Sequence, residues 1–600
     1  MWQNSSRELN STVFSRRAFI LLVGKILIVG AIVIRLLILQ VFKAKEYKTL
    51  SDKNRIKFIL IPPKRGSIKD TDGNLLAYNK EAYKIYFYKQ KGKPYKAILK
   101  SAFDILKPSA EQRSSLLKLV KGAAYLRPIV IKDNVLWNNI VKIEVESHKL
   151  PGVFVEKSFT RYYPLRENLA HVLGYTGLPN QNEIASHKLH HSREAKIGKT
   201  GIEKQLNHSL IGKFGAKKVE VNANSIIVRD LSIERSSPGN DVHLTIHAEL
   251  QNLLHQLLPQ SGGAAAAVEI STGNILAMCS SPSFDPNIFS TEFSELKWQE
   301  LMNNKLSPFT NKVIGKAYPP GSVWKIITSL AILESGIDPE EMIFCTGSSQ
   351  IGDRIFKCGK RKGHGYVNFH NALPLSCNCY FYKMGIRAGI ENIHKTAQML
   401  GVGQKIGFEL SGELSGSNPN KQWKKKVFRE EWTHGDTANA SIGQGFVLAT
   451  PLQLLMMISK VASGKIIAPS LLKEHNKNVS PLSLPFKKEN LIMIRHGLIN
   501  ASNKSYGIGF GSRIRDKRFL MAGKTGTAQV ISKDTSAEPG NFNKSLRSHS
   551  IFVGYAPIDT PKYAAVVVAD NAGWGSATAA PIGRDILFAI QKKMHQDFAF

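Results

Sequence analysis

Apolar residues fill positions Phe19 to Phe42 almost without a break, FILLVGKILIVGAIVIRLLILQVF. A helix of that length spans a bilayer. Lys25 can snorkel to the near interface and Arg35 lies toward the far end, so neither charge forbids the span. No small-residue cleavage site follows, and the run is longer than a signal-peptide core, which predicts an uncleaved anchor. Past it the pattern changes. From Lys43 to Asn240 short alternating runs sit between polar turns and predict a β-rich domain, as in PPKRGSIKDTDGNLLAYN, with a turn at Arg65-Gly66 and a hairpin tip at Asp72-Gly73. At GNDVHLTIHAELQNLLHQLL a short strand feeds a helix, and two strands then flank a turn at Ser271-Thr272-Gly273-Asn274. Helical segments follow, then strands at Phe519–Ile531, Ser550–Tyr555 and Tyr563–Ala569, and a last helix from Ile582 to Gln591. This order predicts an α/β sandwich around a five-stranded sheet, mixed or antiparallel. The chain is therefore read as α+β: an arm at 1–18, a span at 19–42, a membrane-proximal domain at 43–240 and a larger domain at 241–600.

Composition alters this picture at one point. Six hundred residues, 43% hydrophobic and 21% charged, are ordinary for a globular chain with several cores, but a net charge of +35 is not. Such a surface suits nucleic acid, anionic lipid or an anionic polymer such as cell-wall glycan. No zinc-finger or aromatic RNA-binding motif is present and the lysines are spread along the chain, which argues against nucleic acid. A solvated lysine-rich surface with no partner remains the alternative.

The candidate chemistry begins at AYPPGSVWKIITSLAILESG. Two prolines and a glycine break the preceding structure, and apolar helical spacing follows at Val323, Ile326, Ile327, Leu330 and Leu333. Ser322 falls where an N-cap serine sits, and Lys325, three residues on, lies on the same helix face. A nucleophilic serine needs such a base in reach. The pair alone is weak, since Ser115/Lys118, Ser294/Lys297 and Ser470/Lys473 share its spacing. Enzymes that acylate such a serine also carry Ser-x-Asn and Lys-Thr-Gly, in that chain order. Ser376-Cys377-Asn378 and Lys524-Thr525-Gly526-Thr527 supply both. An earlier Lys199-Thr200-Gly201 precedes Ser322 and lies outside the second sheet-forming region. Taken singly, Ser376 and Asn378 could cap a helix, and the glycines of SIGQG read as a plain turn. Three motifs in order are far more specific than any one.

With these motifs the chain resembles the class B penicillin-binding proteins of the penicillin-binding protein 2 type, nearly end to end. The likeness runs through RGSIKDTDGNLLA, GKTGIEKQLN, YPPGSVWK, GHGYVNFHNALPLSCNCYFY, SIGQGFVLATPLQ, KTGTAQV and HSIFVGYAP. It implies a non-catalytic pedestal, dimerisation-like, followed by a penicillin-binding/β-lactamase-like transpeptidase domain. It further implies a serine-type D-Ala-D-Ala transpeptidase with a carboxypeptidase side activity, cross-linking peptidoglycan stem peptides of lipid-linked nascent glycan during elongation and acylated by β-lactam antibiotics. Ser322 would be the nucleophile, Lys325 the base, Ser376 a proton relay and Asn378 the residue holding Lys325 and the substrate amide. Lys524, Thr525 and Thr527 would meet the terminal carboxylate, the strand through Gly526 would pair with the substrate backbone, and the N–H groups of Ser322 and Thr527 would form the oxyanion hole. Placement would be the bacterial inner membrane, single-pass, with the catalytic domain in the periplasm. A SEDS-type glycan polymerase of the RodA kind and elongation scaffold proteins would be partners, the polymerase packing at Arg35 and Gln40, with snorkelling alone as the alternative. A β-lactam-hydrolysing or β-lactam-sensing protein shares the motifs but needs no pedestal.

Catalysis of this kind needs no cofactor. Cys345, Cys358, His364 and Cys377 nevertheless offer three thiolates and an imidazole, the ligand type and number of a closed structural zinc site, although the spacing is looser than a zinc finger's. Some members of the family hold zinc near the active site through mixed Asp, His and Cys ligands. A Cys345–Cys358 disulfide or free buried thiols are the alternatives, and Cys279 and Cys379 read as packing residues.

Overall fold

The computed structural model describes residues 16–45, 55–90, 92–123, 128–186, 196–221, 227–290, 295–473, 482–529 and 547–596. The N-terminal apolar run forms a helix, α1, at Arg16–Leu37, which closes in a π-helical turn at Ile38–Phe42. Ala18–Phe42 is the one described helix long and apolar enough to cross a membrane. Its large apolar side chains are exposed along its whole length.

The next domain is built on a 14-residue strand, Leu75–Tyr88. Ile68–Lys69, Pro128–Lys132 and Val153–Tyr162 all pair with it antiparallel. The tip at Asp72-Gly73 forms as expected, because Asp70 Oδ1 accepts from the N–H groups of Asp72 (2.9 Å) and Asn74 (2.7 Å). Ile85 and Phe87 pack against Leu99 and Phe103 of the helix Tyr95–Leu106. A second, antiparallel sheet joins Ile56–Ile61, Gly215–Val221 and Ile227–Glu234.

Between these parts lies a buried charge cluster. Glu203, fully buried, accepts from Arg65 Nε and Arg161 Nε, each at 2.6 Å. Arg65 also donates to Asn207 Oδ1 (2.9 Å), and Arg161 to the carbonyl of Gly66 (2.8 Å). Three segments distant in sequence, RGS, TRYY and GIEKQLN, are thus tied together by one carboxylate. Lys199 of the early Lys-Thr-Gly pairs with Glu183 at 2.5 Å inside this domain, away from the chemistry described below.

The C-terminal domain surrounds a sheet of five strands, β1 (Gly263–Glu269), β2 (Ile275–Ser281), β3 (Ala522–Ala528), β4 (His549–Ala556) and β5 (Tyr563–Ala569). Their order is β2-β1-β5-β4-β3, and every pairing is antiparallel. Alternation explains why these strands are apolar throughout. Ala265, Ala267, Val567 and Ala565 face one core, with α2 (Ala248–Leu257) and α7 (Ala579–Gln596), while Ala264, Ala266, Val566 and Val568 face the other. That second face carries α3 (Lys325–Glu334), α5 (Pro451–Ser463) and α6 (Lys488–Asn503), while α4 (Asn378–Ala388) packs on α3. The last helix starts three residues earlier than expected and runs longer. The strand expected from Phe519 starts at Ala522 instead, since Asp516 caps a 3-10 turn at Lys517–Phe519. The far end of that expected strand, from Val530, falls outside the described residues.

The candidate active site

Ser322 does not cap its helix. It is the middle residue of a 3-10 turn, Gly321–Val323, and no side-chain cap bond is made there or at the start of α3. The reason is steric. Gly321 (φ +54°) and Gly443 (φ +70°) pack backbone to backbone, with Gly321 N–H donating to Gly443 O at 2.9 Å. A Cβ on Gly443 would lie 2.4 Å from Gly321 O and 2.5 Å from Trp324 Cβ, so only glycine fits. The SIGQG segment, read as a plain turn, is therefore the support of the turn that carries Ser322. Gln444 continues this bracing by donating from Nε2 to Thr527 O at 3.3 Å. Nothing short of the fold pairs these segments, so a turn reading was all that their glycines could give.

Lys325, fully buried in the first turn of α3, donates from Nζ to Asn378 Oδ1 (2.6 Å), Ser376 O (2.8 Å) and Ser376 Oγ (3.2 Å). Lys524 Nζ reaches the same Ser376 Oγ at 2.9 Å. Burial pulls the Lys325 ammonium down to about 8, and burial with the Lys325 charge pushes Lys524 well below the usual lysine range. A neutral amine near pH 8 can take a proton from a neighbouring hydroxyl, and Ser376 Oγ lies between the two amines as a bridge.

Ser376 is held in the left-handed region (φ 54°, ψ 41°), a conformation that costs a serine about 1 kcal/mol. It is imposed by a Schellman closure of the helix Phe369–Leu375: Ser376 N–H donates to Leu373 O and Cys377 N–H to Ala372 O. Asn378 then opens α4, so neither residue is the helix cap that each alone suggested. Asn378 Nδ2 donates to Lys357 O at 3.1 Å, which turns its carbonyl oxygen toward Lys325.

Lys524, Thr525, Gly526 and Thr527 lie on β3, the edge strand of the sheet among the described residues. Gly526 passes close to the turn that carries Ser322, where a Cβ would meet Pro320 O at 2.8 Å.

Behind the Ser-x-Asn loop, one ligand atom each from Cys345, Cys358, His364 and Cys377 lie within 4.8 Å of one another. His364 Nδ1 is 3.6 Å from Cys345 Sγ and 3.5 Å from Cys358 Sγ, near the roughly 3.5–3.8 Å between ligands on a tetrahedral ion. The residues thus fit a metal ion. Hydrogen bonds from the thiols of Cys377 and Cys379 push the Cys358 thiol below the usual thiol range, the direction that suits a metal-ligating sulfur. All five cysteines are unpaired and buried in this structure. Cys379 packs as expected, and its thiol also bonds that of Cys358.

A buried lysine one turn after the serine turn, a bridging Ser-x-Asn loop and an edge strand packed on that turn are the features of a serine acyltransferase of the penicillin-binding transpeptidase class. Residues 263–588 match the Penicillin binding protein transpeptidase domain, and residues 60–244 the Penicillin-binding Protein dimerisation domain. The chain is 35% identical over 577 residues to the peptidoglycan D,D-transpeptidase MrdA of Acinetobacter baumannii, covering 92% of this chain and 85% of the relative. A solved complex between penicillin-binding protein 2 and MreC from Helicobacter pylori is similar with a TM-score of 0.79 at 28% identity, over 90% of this chain and 99% of that one. A peptidoglycan synthase complex that coordinates polymerization and crosslinking matches with a TM-score of 0.69 at 27% identity, over 96% and 98% of the two chains. The chain belongs to the penicillin-binding protein 2 family, the MrdA-type peptidoglycan D,D-transpeptidases.

Proposed function

We propose that Ser322 attacks the carbonyl of the penultimate D-alanine of a stem peptide, with Lys325 as the base that takes its proton. Ser376 relays a proton to the departing D-alanine amine, and the amine of a second stem then resolves the ester to a cross-link. Asn378 holds Lys325. Lys524, Thr525 and Thr527 receive the terminal carboxylate, and β3 pairs with the donor backbone through Gly526. The N–H groups of Ser322 and Thr527 stabilise the oxyanion. The carrying observation is the shared contact at Ser376 Oγ, 3.2 Å from Lys325 Nζ and 2.9 Å from Lys524 Nζ. Mass spectrometry after exposure to penicillin should place one adduct on Ser322, absent in Ser322→Ala. An adduct elsewhere would refute the assignment.

The same reading divides the chain into an arm at 1–18, an anchor at 19–42, a pedestal at 43–240 and the catalytic domain at 241–600. It anchors α1 once in the inner membrane with the catalytic domain in the periplasm, acting in elongation and shape maintenance on lipid-linked nascent glycan. Zinc is the ion proposed for Cys345, Cys358, His364 and Cys377, on the strength of three soft sulfurs and one imidazole. It would pin the Ser376–Asn378 loop from behind and take no part in the acyl transfer. The relatives in complexes support a SEDS-type glycan polymerase on the anchor helix and an elongation scaffold protein on the pedestal.

A further inference from the structure

The loop after β5 holds a tryptophan that the mechanism above leaves unused. Trp574 is 69% exposed, and among the described residues no ring stacks on it. Its backbone is nevertheless tied down on every side. Trp574 O accepts from Ser550 Oγ (3.0 Å) and from Ala577 N–H (3.1 Å), and Gly573 N–H donates to Ser548 O (2.9 Å). Gly575 N–H donates to Thr527 Oγ1 at 3.2 Å, and a Cβ on Gly575 would lie 2.2 Å from Gly526 O. The loop is thus pressed onto the substrate-binding strand, with a rigid main chain and an indole left in water. An exposed tryptophan on a loop whose backbone is tied to the substrate strand offers a large amphipathic surface to a ligand there.

Its neighbour identifies which part of the substrate it meets. Because Thr527 Oγ1 accepts from Gly575, its own proton remains for an anion, in keeping with the role in carboxylate binding proposed above, on which this inference rests. The terminal D-alanine therefore departs from beside Thr527. In transpeptidation an amine leaves and an amine enters, and the reverse reaction must pass through the same site, so the acceptor approaches where the D-alanine left. A protonated amine drawn to that place passes the loop that carries Trp574, and an indole is the best aromatic partner for a cation. We propose that Trp574 is the acceptor-side platform: it collects the ammonium-bearing side chain of the second stem and positions it over the acyl-enzyme. Once the ammonium has lost a proton, its nitrogen bonds to the ester carbonyl carbon and the bond from that carbon to Ser322 Oγ breaks. The amine's second proton passes to Oγ, which leaves an amide and a free serine. Trp574 is a positioning residue, and its loss favours water over the amine as acceptor.

The test uses the full-length protein in detergent, acylated by a small N-acylated D-alanyl thioester and offered a D-amino acid as the amine. The readout is the ratio of aminolysis to hydrolysis, followed by mass spectrometry, beside the rate of labelling at Ser322 by penicillin. Trp574→Ala and Trp574→Leu should lower the ratio about tenfold, and Trp574→Phe should restore most of it. Penicillin labelling should stay within about twofold in all three, since the leaving side of penicillin is held through its carboxylate by Lys524, Thr525 and Thr527 and not by the indole. A ratio unchanged in Trp574→Ala, or equal in the Leu and Phe variants, overturns the proposal. So does a joint fall of ratio and labelling, which would make Trp574 a brace for Thr527. Labelling at a residue other than Ser322 would instead break the catalytic assignment beneath it.

Discussion

With Lys325 as the proposed base, its ionisation is expected to set the pH dependence of the first chemical step. Its ammonium is pulled down to about 8 by burial, so the neutral, base-competent form grows as pH rises toward that value. Acylation by penicillin should therefore climb about tenfold per pH unit below about 8 and level off above it. Lys325→Ala should flatten this profile and slow acylation by about 10²–10⁴-fold while the protein stays folded, as a rate-versus-pH series with circular dichroism would check. At this scale much of the site was legible in the sequence. Ser322, Lys325, Ser376, Asn378 and Lys524 announce themselves by spacing, and the fold brings the last four into direct contact. Gly443 and Gln444 were not legible, because each acts between segments remote in the chain, Gly443 through a backbone approach to Gly321 and Gln444 through its side-chain amide on Thr527 O. A glycine in a loop carries no mark of what will press against it.

Among the elements, the two ribbons before α4 carry a second dependence. Ile343–Cys345 pairs with Gly365–Val367, and Ser348–Ile351 with Arg354–Lys357, in strands of three or four residues. Such short strands have little stability of their own, and their lengths left no periodicity to read. What joins them to the catalytic loop is the sulfur and imidazole cluster together with the bond from Asn378 Nδ2 to Lys357 O, one residue before Cys358. Losing the metal should therefore loosen Asn378 and, through it, Lys325. His364→Ala is expected to reduce bound zinc from about one per chain and to slow penicillin acylation about 100-fold, the usual effect of an ångström-scale misplacement. Elemental analysis and a labelling time course measure the two together. Full-rate labelling in protein stripped of metal would separate the cluster from the chemistry. The long elements behaved differently: the five strands and the last helix were readable because their apolar runs are bounded by polar turns, and only their ends shifted where a local cap intervened.

At the scale of the whole molecule, two places each carry a prediction. At the first, Glu203 is enclosed by two guanidiniums, and the core beside it is continuous from Ile68 and Tyr163 into Leu244, Ile246 and the catalytic domain. Glu203→Gln leaves two buried cations without their anion at a cost of about 3–5 kcal/mol. The first thermal transition should fall by about 10 °C in scanning calorimetry, while Ser322 still labels below it. The second place is the anchor. Arg35 lies on α1 beside Ile28, Ala31, Ile32 and Leu36, and Gln40 is carried by the π-helical turn that closes the helix. Both are exposed, and both are costly against lipid but well suited to hydrogen-bond a neighbouring helix, which Ala31 allows to approach closely. Replacing both with leucine keeps the span apolar and removes only those bonds. With each interhelical bond worth about 0.6–1.7 kcal/mol, the pair should lower the amount of SEDS-type polymerase recovered with the protein from solubilised membrane by about tenfold or more. Penicillin labelling of the same preparation should be unchanged, because the anchor lies outside the catalytic domain. Undiminished recovery of the polymerase in the double variant would show that Arg35 and Gln40 only reach for the membrane interfaces, and would move the contact to another face of the helix or to the pedestal.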